Sequence, residues 1–575
     1  MKHIKYNLFL LTAVITLIAG CTENLDLKPI AKDTEVSFYK DAASIDATVT
    51  AAYAQMCARE VFDKDYYLVL GSIPSDDVEC GGETVNDYPM AQHFDQFLQS
   101  IMDNTPTTEV WQYCYKGCRL ANTALEKMKI PGIASKEFID VRTGEMKFLI
   151  SFYHFVLVQV FGGVPIADKT IQPEDFYNPR NSIKEVLNFC ETSLTEAINL
   201  LPEKNSPLYN KYVGSEVGRA HKSTAQALLA KVLLYESSYA RNYPDDDRFK
   251  GCTEKWDQAL KSAEDVINSN DYALVGYKGE RYPSWRTFPD ENATVDGFRW
   301  LFTVDGDNSS EGIFEIQNVN DGLGWGSTRG NVMTVYQSCR KYRKADGTLG
   351  DIGGWSFNCP SEYLVNAFKN SDSREDNLNS KPCAETDDPR FSTTVGREGD
   401  TIQIYNKGIV WVKMDFENLP TKMIGRKFEC SYDEYWKANQ WTQGPFNVRL
   451  IRYADVILFA AEAAYMTGDK TKALNYVNMI RTRARNCGTT GKPENLTNIS
   501  FEDIVHERRL ELACEPARFF DLVRWNLTEK FINGIYNNGL GITTEFVKGK
   551  HEFAPLPNSE VQLSKGTLVQ YPAWE

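Results

Sequence analysis

A mostly α-helical protein, assembled from paired helices and carrying one irregular, partly β, loop-rich insertion, is what this 575-residue sequence predicts. Three observations carry that expectation. Apolar residues recur at helical spacing in long blocks on both sides of the chain's middle, and small residues lie where successive helices would cross. Between about Tyr272 and Gln443 the pattern breaks into glycines, short alternating runs and polar loops.

Taken in order, Met1 to Cys21 reads as a targeting segment. Lys2 and Lys5 precede an apolar run, Leu8 to Ile18, that is short for a membrane-spanning helix. Ile18-Ala19-Gly20-Cys21 resembles a bacterial lipobox, which would leave residues 1–20 as a removed leader and Cys21 as an acylated first residue. Acyl chains on one cysteine would hold the protein to a membrane without a spanning helix. An amphipathic helix is expected from Val36 to Met56, and looser chain from Asp63 to Pro106. From Val110, the residues Trp111, Tyr115, Cys118, Ala121 and Leu125 keep helical spacing. Gly144 to Phe161 gives a strongly apolar helix, stopped by Gly162-Gly163 and Pro165. Helices are expected again over Ser182–Leu200, His221–Tyr239 and Lys255–Ile267. Such pairs, of similar size and with small residues at the crossings, meet the requirements of a tetratricopeptide-like stack.

The densest helical pattern lies between Asn447 and Trp525. Val448, Ile451, Val456, Ile457, Phe459 and Ala460 predict one buried helix from 448 onward. Ala473, Leu474, Val477, Met479 and Ile480 predict a second, turned back at Thr467-Gly468-Asp469. A third starts at Ser500, whose hydroxyl is placed to cap it with Asp503. Glu507 and Glu511 lie one turn apart, unfavourable unless cations meet them, and Arg508, Arg509, Arg518 and Arg524 are the expected partners. Acid/base chemistry needs a carboxylate left partly unpaired, so these charges are read as a structural network rather than a catalytic pair.

Four linked blocks here also resemble the C-terminal signature of the SusD/RagB family. They are Arg452-Tyr453-Ala454-Asp455 with Ala461-Glu462-Ala463, Ile480 to Ala484, His506 to Leu512, and Arg518 to Trp525. The resemblance implies a lipid-anchored outer-membrane protein on a tetratricopeptide-like scaffold. It implies capture of a nutrient, usually an oligosaccharide, for a SusC-like TonB-dependent transporter, with no chemistry and no cofactor. Pro516 stands where the family usually has glycine, and Asp455 where it often has glutamate. The expected organisation is a leader (1–20), an N-terminal helical-repeat part (21–271), a loop-rich ligand-binding insertion (272–443) and a C-terminal helical part (444–575), forming one unit.

A formal net charge of -15 argues against nucleic acid and anionic lipid surfaces as partners. The thirteen cysteines leave twelve besides Cys21, scattered rather than clustered, so some bridges are open to them. Cys114 and Cys118, one turn apart with no nearby histidine, read as core thiols rather than metal ligands. Gly322, Gly324 and Gly326 lack the following Lys-Ser/Thr of a phosphate loop. Asp305, Asp307 and Ser309 begin like a calcium loop, but Ser310 and Ile316 stand where glycine and glutamate belong. No Gly-x-Ser-x-Gly or His-Glu-x-x-His occurs.

Seven of the eleven tryptophans fall in the insertion: Trp285, Trp300, Trp325, Trp355, Trp411, Trp436 and Trp441. A saccharide presents C–H faces that stack on aromatic rings and hydroxyls that pair with amides, carboxylates and guanidinium groups. The expected ligand residues are therefore Trp325, set between Gly324 and Gly326, then Tyr336 and Trp355, with Asn320, Asp321 and Arg329 as polar partners. Capture of peptides in the RagB manner, a glycosidase using two carboxylates, and a scaffold binding only the transporter are the alternatives.

Overall fold

The computed structural model describes residues 38–575 apart from 59, 101–104, 172–176, 284–293, 320, 322, 324–328, 370–387, 398, 406–408, 417 and 430–443. Cys21 and its leader therefore lie outside the described residues.

Six helices form the N-terminal half of the scaffold: α1 (Ala42–Ala54), α2 (Thr105–Lys127), α3 (Lys136–Phe161), α4 (Ile183–Leu200), α5 (Lys222–Asn242) and α6 (Trp256–Asn268). Four more follow the insertion: α7 (Tyr453–Met466), α8 (Lys470–Asn486), α9 (Phe501–Leu512) and α10 (Arg518–Arg524). From α1 to α8, each helix packs on the next. Because α6 packs directly on α7, the long insertion leaves and re-enters the stack at one place. Small residues set the crossings. On α2, a Cβ at Gly117 would stand 2.3 Å from the ring of Tyr153 on α3. On α7, Ala460, Ala461, Ala463 and Ala464 are fully buried. Local chemistry fixes the helix ends: Ser182 and Glu185 form a capping box on α4, and Ser500 and Asp503 form the expected one on α9. Gly162, at φ 72°, ends α3.

Two elements differ from the sequence reading. The looser chain expected after Asp63 contains a buried π-helix, Val61–Ser72, whose Phe62, Tyr66 and Tyr67 pack in the main core. The predicted helix from Val448 instead begins at Tyr453. Residues Val448–Arg452 are a strand, antiparallel to Gly312–Ile316 with register shifts at Ile451. A short apolar run does not by itself distinguish strand from buried helix. Here the β partner lies far away in sequence.

The insertion supplies β1 (Gly312–Ile316), β2 (Lys341–Arg343), β3 (Leu349–Asp351), β4 (Thr401–Tyr405) and β5 (Ile409–Asp415), while the C-terminal strand Val448–Arg452 is β6. Strands β3-β2-β5-β4 form an antiparallel sheet over a small core of Cys339, Ile352, Ile402, Met414 and Phe416.

A buried ionic network ties insertion to scaffold. Glu511, with no exposed side-chain surface, accepts from Arg452 at 2.5 Å, from Arg390 at 3.2 Å and from Arg483. Glu507 pairs with Arg390 at 2.6 Å and Arg481 at 3.0 Å. The network is structural as expected, but its cations come from the insertion, β6 and α8. The anticipated arginines serve other carboxylates. Arg508 holds Asp521, Arg509 and Arg518 hold Asp76 and Asp77, and Arg524 holds Glu462. Asp76-Asp77 is thus a buried anchor. Burial alone would raise the Glu511 carboxyl, but Arg483, Arg452 and Arg390 overcome it and hold it well below the usual carboxylate range.

Candidate functional site

Two of the expected ligand aromatics meet. Tyr336, on the one-turn helix Met333–Gln337, lies 4.8 Å from Trp355 and 5.5 Å from Phe357, ring centre to ring centre. Tyr88, just before the helix Pro89–Asp95, closes the group at 5.9 Å from Tyr336 and 5.2 Å from Phe357. Backbone pairing fixes this arrangement. The amide of Trp355 donates to Val335 O at 2.6 Å, and that of Phe357 to Tyr336 O at 2.8 Å. The helix is itself anchored, because Val332 N donates to Asp63 Oδ2 at 2.8 Å and the Asn331 side chain donates to Gly444 O and Phe446 O. Tyr336 is 9% exposed and forms the floor, whereas Trp355 and Tyr88 are half-buried at the edge.

A cation faces the Tyr336 ring. Lys64 Nζ stands 5.7 Å from the centre of the Tyr336 ring, held by Glu60 at 2.8 Å and Asp65 at 3.6 Å. Burial raises the Asp65 carboxyl to about 8, its pairing with Lys64 notwithstanding, and raises Asp63 to about 6. The sequence reading missed Lys64 and Tyr88. Both come from the stretch read as loose chain, and only the tertiary fold brings them to Tyr336.

Of the expected polar partners, Asp321 and Arg329 precede this helix in the chain. Val319 N donates to Arg329 O at 2.7 Å, closing the loop at its base, and Asp321 accepts from Leu323 N at 3.1 Å. Arg329 is exposed. Trp325 and Asn320 lie outside the described residues. At the foot of the loop, Gln317 lines a cavity of about 470 Å³ with Tyr53, Met56, Cys57 and Val217.

Other sequence features find structural places. Cys114 and Cys118 are buried on α2, Cys118 Sγ lies 3.6 Å from His154 Nδ1, and the ten described cysteines are free thiols. Asp307 pairs with Arg449 at 3.0 Å and accepts from Asn447 N. Among the described residues, no helix is long and apolar enough to cross a membrane.

The SusD family model matches residues 310–574, and a second model, described as starch-binding associating with outer membrane, matches residues 24–234. The SusD-like protein P2 of Formosa agariphila is 23% identical over 589 aligned positions, covering 99% of this chain and all of that one. A solved laminarin-binding SusD-like protein is 25% identical with a TM-score of 0.67, covering 93% of this chain and 100% of its own. Surface glycan-binding protein A from Bacteroides thetaiotaomicron, solved in complex with laminarihexaose, has the same fold. Its TM-score is 0.66 at 20% identity, covering 92% of this chain and 99% of its own. With family models matching both helical parts of the chain and a relative aligned over nearly its whole length, this chain belongs to the SusD family.

Proposed function

We propose that this protein captures a neutral glycan by equilibrium binding at the outer membrane, anchored through Cys21, and passes it to a SusC-like TonB-dependent transporter without performing chemistry on it. The observation that carries this reading is the pre-formed aromatic group of Tyr88, Tyr336, Trp355 and Phe357, fixed by backbone hydrogen bonds and edged by two half-buried rings. Such a group stacks on the C–H faces of a sugar, and its rigidity lowers the entropy lost on binding. The laminarin-binding relative, similar along almost the whole chain, supports a β-glucan as the first ligand to test. Beside the group, Glu60 faces Lys64 at 2.8 Å.

We propose that Asp321 and Arg329, which precede the Tyr336 helix in the chain, take part as polar partners, and Trp325 and Asn320 are carried forward from the sequence as further candidates. The test is calorimetric titration with laminarihexaose. Trp355→Ala is expected to weaken binding by about 1–3 kcal/mol, as for a central aromatic anchor. Equal affinity of the parent and Trp355→Ala would remove the assignment, and displacement of the sugar by a peptide would favour the RagB-like alternative.

A further inference from the structure

A second cleft, of about 420 Å³, opens between α2, the chain leaving α3 and the C-terminal segment, and it shares no residue with the Tyr336 group. Its volume falls within the range of small-molecule pockets. Trp111 and Tyr115, four residues apart on α2 and therefore on one face, supply aromatic wall; their ring centres are 4.8 Å apart, and Trp111 is backed by Phe161.

The opposite wall is chain from Pro165 to Lys169, which hydrogen bonds hold from several directions. Tyr115 Oη donates to Pro165 O at 2.7 Å and Asn122 Nδ2 to Ala167 O at 2.9 Å. Ala167 N donates to His154 Nε2 at 3.0 Å, and Ile166 N to Asn181 Oδ1 at 3.0 Å. The cleft is therefore a built feature of this surface, with its shape set before any ligand arrives. At the rim stand Gln112, Asp168 and Lys169, all exposed, and Glu560, half-buried. An amide, two carboxylates and an ammonium group, donors and acceptors together around an aromatic wall, match a ring that is apolar on its faces and bears hydroxyls on its edge.

We propose that this cleft is a second saccharide site, taking a terminal sugar or a short stretch of neutral glycan independently of the Tyr336 group. The proposal rests on the glycan-binding reading above, and the experiment separates the two. The full chain is titrated with laminarihexaose and, in parallel, maltohexaose at millimolar concentration. Three variants follow: Trp355→Ala with Tyr88→Ala, Gln112→Ala with Glu560→Ala, and all four together. The rim substitutions lie at the surface, and circular dichroism checks that each variant folds.

Two binding events are expected in the parent. One should be weakened about tenfold or more by Gln112→Ala with Glu560→Ala, and it should persist in Trp355→Ala with Tyr88→Ala. A single event abolished by Trp355→Ala with Tyr88→Ala alone would overturn the second site and leave the first. An event lost only with the rim substitutions would keep this cleft and overturn the first site. Absence of binding by a folded parent to both sugars would overturn both.

Discussion

Glu511→Gln tests the view that the charges of α9 are a clamp. Its carboxylate is fully buried and serves Arg390, Arg452 and Arg483 together. After the change Arg390 keeps Asp388 and Glu507, and Arg452 keeps Glu311 and Glu515. Arg483 keeps only Glu311, at 3.3 Å, among the described carboxylates. Leaving a buried guanidinium under-compensated costs about 3–5 kcal/mol, and glutamine's remaining oxygen places the expected loss near 3 kcal/mol. Arg483→Met in the same background removes the stranded charge, so the double variant should lose less than the sum of the two single ones. Urea unfolding followed by circular dichroism measures all three. A loss below about 1 kcal/mol for Glu511→Gln, or strict additivity of the pair, would refute the clamp and reopen a functional role for this carboxylate.

Three further predictions follow. Asp65 is held protonated up to about pH 8 by burial, against about 3.9 in an unfolded chain, so its stabilising contribution is full below pH 4 and fades as pH rises through 8; the melting temperature of Asp65→Asn minus that of the parent should therefore climb between pH 4 and 8, and a flat difference would contradict it. Gly71 lies where a Cβ would sit 2.8 Å from Pro516 Cβ and 3.0 Å from its Cα, so Gly71→Ala should cost about 1–3 kcal/mol in the same urea assay, and an unchanged midpoint would show that this contact is soft. The ten described thiols, with Cys57 and Cys252 pushed up to about 12 by burial, should resist a disulfide reagent at pH 8 until the chain unfolds, and their rapid labelling in the native protein would contradict the packing described.

The scaffold was legible because its signals are local. Periodicity found α2 through α9, the turn at Gly468 sits at φ 92°, and Ser500 caps the helix it was expected to cap. The strand Val448–Arg452 was misread because its five residues suit either state, and only pairing with Gly312–Ile316 decides. The ionic network was recognised in kind from the charge density of α9. Its partners were not, since Arg390 and Arg452 reach Glu511 across the fold. At the candidate site, residue chemistry brought out Tyr336 and Trp355. Tyr88 and Lys64 join them through contacts between segments far apart in sequence, which no local pattern encodes.

The central claim, that this surface holds a glycan and leaves it intact, is tested most directly by titrating laminarihexaose into the full chain and recovering the sugar afterwards. The account predicts saturable binding, weakened by Trp355→Ala, with the hexasaccharide returned at its original length. Shortened products, or a parent and variant that bind alike, would contradict it.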